Sequence, residues 1–153
     1  MVTVDDTLLK AYYRHIPPEE VRERETDDLR AAYGAHLELA AERPQGTARV
    51  RVHTPEPTAD GWSCQGRTVV ETVTDYMPFL VDSLTMALDE AGHTVHVIVH
   101  PQMMVTRDVA GALRSVRPAP EPGQPDHPVE GEVRESWMHV EIDRLGPDDD
   151  PTG

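Results

Sequence analysis

The fold turns on residues 67–100, RTVVETVTDYMPFLVDSLTMALDEAGHTVHVIVH. The run at 67–75 is β-branched and reads as a strand. From Pro78 to Ala91, the residues Leu80, Leu84, Ala87, Leu88 and Ala91 fall on one helical stripe. Gly92 supplies the stop behind that helix. TVHVIVH at 94–100 reads as a second strand, which Pro101 breaks or bends before MMVTRD resumes the extended pattern. Asp108-Val109-Ala110-Gly111 then turns the chain into LRSV at 113–116, a small hairpin. Strand, helix, strand, strand is the opening of a split β-α-β unit. It predicts an α+β fold: a ferredoxin-like antiparallel sheet with helices on one face.

Upstream, Leu8, Leu9, Tyr12, Tyr13 and Ile16 share one helical face, with Asp5 and Asp6 at the favourable acidic end. Pro17-Pro18 stops that helix, and EEVRER reads as a short helical turn. Thr26 is suited to cap a further helix carrying Leu29, Tyr33, Leu37 and Ala40. Residues 1–46 therefore read as an N-terminal helical hairpin, and 47–145 as the α+β domain. ARVRVH at 48–53 alternates as a strand, with Val50 and Val52 on one face. Residues 118–134 are rich in proline and glycine and read as a flexible loop. ESWMHVEIDR at 135–144 is the last strand, with Trp137, His139 and Glu141 opposite Met138, Val140 and Ile142. The second helix of the motif is missing, since Gly146, Pro147 and Pro151 break every window after it. Residues 146–153 read as a disordered tail.

At 153 residues, one core can be buried. The net charge of −14 excludes a nucleic-acid partner and docking on anionic membranes, because both need a cationic surface. No run is long enough to span a bilayer, and no signal peptide is visible. The single cysteine, Cys64, excludes an internal disulfide and fits a cytoplasmic location. Thirteen arginines stand against one lysine, Lys10, which reads as a coding bias without functional weight.

The segments LLKAYYRHIPPEEV, HLELAAERPQGTARVRVHTP, VVETVTDYMPFLVDSLTMAL, VHVIVHPQMMVTRD and ESWMHVEIDR cover most of residues 7–144. In that order they resemble the N-terminal part of the large bacterial NAD-specific glutamate dehydrogenases. The resemblance implies a non-catalytic, ACT-like module with a regulatory or assembly role. The parent enzymes oxidise L-glutamate to 2-oxoglutarate and ammonia and pass a hydride to NAD. The resemblance places those residues far downstream, so NAD belongs to the parent and no cofactor to this chain. The implied partners are other domains or subunits of the parent enzyme, a second copy in a homodimer, and an amino-acid effector.

The residues agree that the chemistry is missing. No two glycines stand even two positions apart, so the G-x-G-x-x-G of a dinucleotide fold is absent. ACT domains often carry Asp-x-x-Pro-Gly-x-Leu between first strand and first helix, and bind amino acids beside it. Here Asp75, Tyr76, Met77, Pro78, Phe79 and Leu80 occupy that turn. Asp75 suits a helix cap or an ammonium ligand, and Pro78 suits the first helical position. Phe79 replaces the glycine, so its ring is expected to fill the space a ligand would use.

Other groups point to chemistry less directly. His93, His96 and His100 fall close together, with His53 and His139 able to complete a metal set only if the strand order allows it. No metal site is expected from them. Asp82 with Ser83, and Glu141 with Asp143, are the visible polar pairs, the latter expected on a solvated face. No catalytic residue emerges. Val95, Val97, Val99, Met138, Val140 and Ile142 are covered by the N-terminal helices or left as an association surface.

Overall fold

The computed structural model describes residues 6–44, 46–121, 123–125, 127 and 129–145. The expected tail and Asp5 lie outside them. Three helices open the chain: α1 (Asp6–Tyr12), α2 (Pro18–Arg22) and α3 (Thr26–Ala40). Strands β1 (Arg49–His53) and β2 (Thr68–Asp75) follow, then α4 (Leu80–Glu90). Strands β3 (Val95–Val99), β4 (Gln102–Arg107), β5 (Leu113–Pro118) and β6 (Val133–Ile142) complete the order.

All strand pairs are antiparallel, and β6 is the spine of the sheet. On one side β6 pairs with β2, placing Glu71 opposite His139 and Val73 opposite Trp137. On the other side its two halves pair with β3 and β4. Pro101 causes that division, since it has no N–H for a ladder. Its carbonyl still accepts from the Trp137 N–H at 3.1 Å, which keeps the chain alongside. Strands β2 and β3 therefore run parallel with β6 between them, joined by α4, which is the split β-α-β unit. Strand β1 covers the far edge of β2, and β5 pairs with β4.

Both sheet faces carry helices. Val70, Met138, Val140 and Ile142 meet Leu80, Val81, Leu84 and Leu88 of α4. The opposite face buries Val73, Val97, Val99, Met103, Val105 and Trp137 under Leu8, Tyr12, Leu29, Tyr33 and Leu37. The N-terminal helices thus cover the face that a four-element motif would leave open. The two sets of valines and Met138–Ile142 lie on different faces, except that the bulge at Val95–Val97 turns Val95 toward α4.

Several boundaries differ from the sequence reading. Helix α1 ends at Tyr12, four residues before Ile16. Glu25, in extended backbone, holds the cap position of α3, and Thr26 is the first helical residue with no side-chain cap bond. Helix α4 begins at Leu80 rather than Pro78, because Phe79 adopts φ 68° and stands as its cap. Beyond α3 the chain is stitched to the β4–β5 turn: the Arg43 N–H donates to the Gly111 carbonyl, and the Leu113 N–H to that of Ala41, each at 2.9 Å. Gly111 sits at φ +93°, where an added Cβ would lie 2.6 Å from the Arg43 carbonyl. Only glycine permits both that backbone and that approach.

Candidate functional site

Asp75 ends β2, and the Arg43 guanidinium donates to its carboxylate at 2.7 Å. It caps no helix. Tyr76 follows, its N–H donating to the Arg134 carbonyl at 3.1 Å. The Arg134 guanidinium lies 5.7 Å over the Tyr76 ring, a cation–π geometry. Met77 and Pro78 are exposed. Phe79 does not fill the core: it is 76 % exposed. Its left-handed backbone explains why glycine is the usual residue of the pattern, since the position demands positive φ. Leu80, the first residue of the helix, packs on the sheet. With Met86, the residues Tyr76, Met77 and Phe79 make up exposed apolar surface at and along α4.

Tyr76 is also a wall of a cavity of about 450 Å³. Arg14 and His15 from the α1–α2 link, His100 and Gln102 from the β3–β4 junction, and Arg134 of β6 line it. The His15 and His100 rings stack at 5.4 Å, 7° from parallel. Burial, with His15 adding to it, lowers the His100 pKa. Arg14 donates to Glu121 at 2.5 Å. Arg134 donates to Gln102 Oε1 at 2.6 Å.

On the face under α1–α3, three carboxylates are fully buried: Glu71, Glu135 and Glu141. Glu141 was expected in solvent, yet Arg24 donates to both its oxygens at 2.5 and 2.7 Å. His139 Nε2 lies 2.8 Å away. Arg107 holds Glu135 bidentately at 2.8 and 2.9 Å, and Arg43 donates twice to its Oε2 at 2.9 and 2.8 Å. Arg51 donates to Glu71 at 2.8 Å, and His53 stands at the same distance. Burial alone would raise these pKa values. Instead, the neighbouring His53 and the Arg51 guanidinium hold Glu71 down to about 2, and His139 and Arg24 do the same for Glu141.

This network escaped the sequence reading, which gave the arginine excess no weight. A guanidinium fork grips a buried carboxylate with two parallel bonds, as an ammonium cannot. Arg24 and Arg43 come from the N-terminal segments and tie them to the sheet, while Arg51 of β1 bonds both Glu71 and the Ala35 carbonyl of α3. The legible signal was the lone acid inside the apolar run VVETV.

The remaining candidates separate. His96 Nε2 pairs with exposed Asp143 at 2.5 Å, while His100 turns to His15. Asp82 and Ser83 are exposed on α4. Cys64, His139 and Glu141 bring three donor atoms within 4.8 Å of one another, all buried. Arg24 and Arg67 already occupy the Glu141 oxygens, and a dication would meet both guanidiniums. Burial pushes the Cys64 thiol pKa up, so it stays protonated and is a poor ligand.

A split β-α-β sheet with an exposed strand-to-helix turn defines an ACT-like α+β module. The chain belongs to the family described as "Glutamate dehydrogenase, ACT1 domain", which matches residues 8–151. It is 34 % identical over 142 residues to an NAD-specific glutamate dehydrogenase of Halomonas elongata, covering 91 % of this chain and 8 % of that protein. It is 29 % identical over 133 residues to the enzyme of the same name from Pseudomonas aeruginosa, covering 87 % of this chain and 8 % of that one. The chain therefore spans a small fraction of the length of these relatives. No solved structure matches it. Among the described residues, no helix is long and apolar enough to cross a membrane.

Proposed function

We propose that this chain is a non-catalytic regulatory and assembly module of an NAD-dependent glutamate dehydrogenase working in the cytoplasm. The parent reaction takes L-glutamate, NAD and water to 2-oxoglutarate, ammonia and NADH, with NAD held outside this chain. One observation carries the reading: the family match covers nearly the whole chain, which is 8 % of each relative. The site chemistry supports it. Each of the three buried carboxylates accepts from at least one arginine, as structural ion pairs do. Tyr76, Met77, Phe79 and Met86 offer exposed apolar area to a neighbouring domain, subunit or second copy of the module.

A second reading is an amino-acid effector held at Asp75–Leu80. The start of α4 favours it, because no side chain caps that end and its backbone N–H groups are suited to a carboxylate. Three measurements test these readings. The purified chain should form no NADH from L-glutamate and NAD; turnover would overturn the non-catalytic role. Joined to the catalytic remainder of the enzyme, Phe79→Ser should weaken subunit association in light scattering. Unchanged assembly would remove the apolar strip from it. For the second reading, an amino acid at about 100 times its Kd should add about 2.7 kcal/mol to stability. No shift with any of the twenty would end it.

A further inference from the structure

We propose that the cavity between the α1–α2 link, the β3–β4 junction and the start of β6 binds a small monocarboxylate that lacks an ammonium group. The site is distinct from the Asp75–Leu80 turn and shares only Tyr76 with it. Arg134 sets the charge. It is half-buried, and its guanidinium meets the neutral Gln102 amide and the Tyr76 ring. Among the described residues it has no carboxylate partner, whereas the buried and half-buried arginines 24, 43, 51, 67 and 107 each have one. A guanidinium facing a cavity without an anion is matched by a carboxylate, whose two oxygens fit the fork.

The other groups in the cavity restrict the ligand. Arg14 is offset by Glu121 at 2.5 Å, so this pair adds no net charge. Burial, with the stacked His15 adding to it, disfavours charge on His100. Arg134 is therefore the one permanently charged arginine of the lining without a carboxylate partner, which suits a monoanion better than a phosphate dianion. Glu121 is the sole acid among the lining residues, and Arg14 together with His15 at 3.4 Å engage it. An α-ammonium would enter beside the Arg134 guanidinium with no free carboxylate to receive it, at a large desolvation cost. Gln102 gives its Oε1 to Arg134, which leaves its amide N–H groups to donate to a ligand oxygen. The volume of about 450 Å³ lies in the range of small-molecule sites.

The test is an NMR titration of this chain with phenylpropanoate, L-phenylalanine and inorganic phosphate at constant ionic strength. The first two differ only by the ammonium group. Phenylpropanoate should shift the Tyr76, His100 and Gln102 resonances saturably. L-Phenylalanine and phosphate should bind at least about tenfold more weakly, the scale of one charged hydrogen bond. Arg134→Gln should lose that factor, while Arg49→Gln, which removes an equal charge from an exposed strand position, should change nothing. Gln102→Glu keeps the shape and supplies Arg134 with an internal carboxylate; it should abolish binding in a chain that melts no lower than wild type. No saturable shift, equal binding in folded Gln102→Glu, or tighter binding of phosphate or L-phenylalanine would each overturn the assignment.

Discussion

Acidification from about pH 7.5 to about pH 4.5 should remove stability from this protein through His36. The imidazole is fully buried. Its Nε2 lies 2.9 Å from the Thr72 carbonyl, which can only accept, so Nε2 carries the proton. In the neutral ring Nδ1 then accepts from the Tyr12 hydroxyl at 2.7 Å. Burial outweighs the attraction of Glu71 and lowers the pKa from 6.5 to about 4. The unfolded chain takes up a proton near pH 6.5, and the folded chain resists until about pH 4. Within that window the unfolded state binds more protons, so stability falls as pH falls, by about 1.4 kcal/mol per unit. The total is about 3 kcal/mol, fully present above pH 6.5 and gone below about pH 4. His100 contributes with the same sign, whereas relief of the −14 net charge on acidification works the other way. The effect is therefore read as a difference. Urea unfolding of wild type and His36→Gln, in which the amide keeps a donor for Thr72 and an acceptor for Tyr12, should converge by about 3 kcal/mol across the window. Parallel curves, or a His36 imidazole titrating near 6.5 in the folded state, would refute the reasoning.

Glu135→Gln leaves the Arg43 and Arg107 guanidiniums without their shared carboxylate and should cost about 3–5 kcal/mol in urea unfolding. Glu71 and Glu141, both held down to about 2, contribute stability that is whole above about pH 4.5 and lost as pH falls toward 2; far-UV circular dichroism should show a cooperative acid transition there. Gly111→Ala meets the Arg43 backbone and an unfavourable φ together, and should lower stability by at least about 2 kcal/mol in thermal melts. Phe79→Gly should raise stability by about 1 kcal/mol, since the ring is exposed and the left-handed backbone no longer carries a side chain.

The split β-α-β order was legible because each element carries its own period. β6 alternates Trp137, His139 and Glu141 against Met138, Val140 and Ile142, and the structure keeps that division. α4 repeats leucines at helical spacing, and they do face the sheet. What was not legible depends on partners distant in sequence. Glu141 alternates like a solvent residue, and nothing near it announces that Arg24, 117 positions earlier, will cover it. The cavity was hidden for the same reason, since Arg14, His100 and Arg134 come from three separate elements. Phe79 was misjudged because a large apolar residue is ordinarily a core residue. A single dihedral, φ 68°, points the chain the other way.

The two faces of the sheet therefore serve opposite ends. Under α1–α3, burying three carboxylates would be ruinous without guanidinium partners, and those partners arrive from residues 24, 43 and 51. Breaking the Arg24 or the Arg43 pairing leaves a charge in the core, so the N-terminal segments cannot leave the sheet by small steps. The turn leading into α4 has no such lock. Its apolar side chains lie outward, Phe79 holds a backbone that a glycine would adopt at less cost, and none of its ordinary folding needs explains that choice. The proposed assembly role would account for such a residue by contacts made outside the chain. The combination to look for is Phe79→Gly melting higher alone while associating less well with the rest of the enzyme. A variant that gained on both counts would leave the exposed ring without a physical reason.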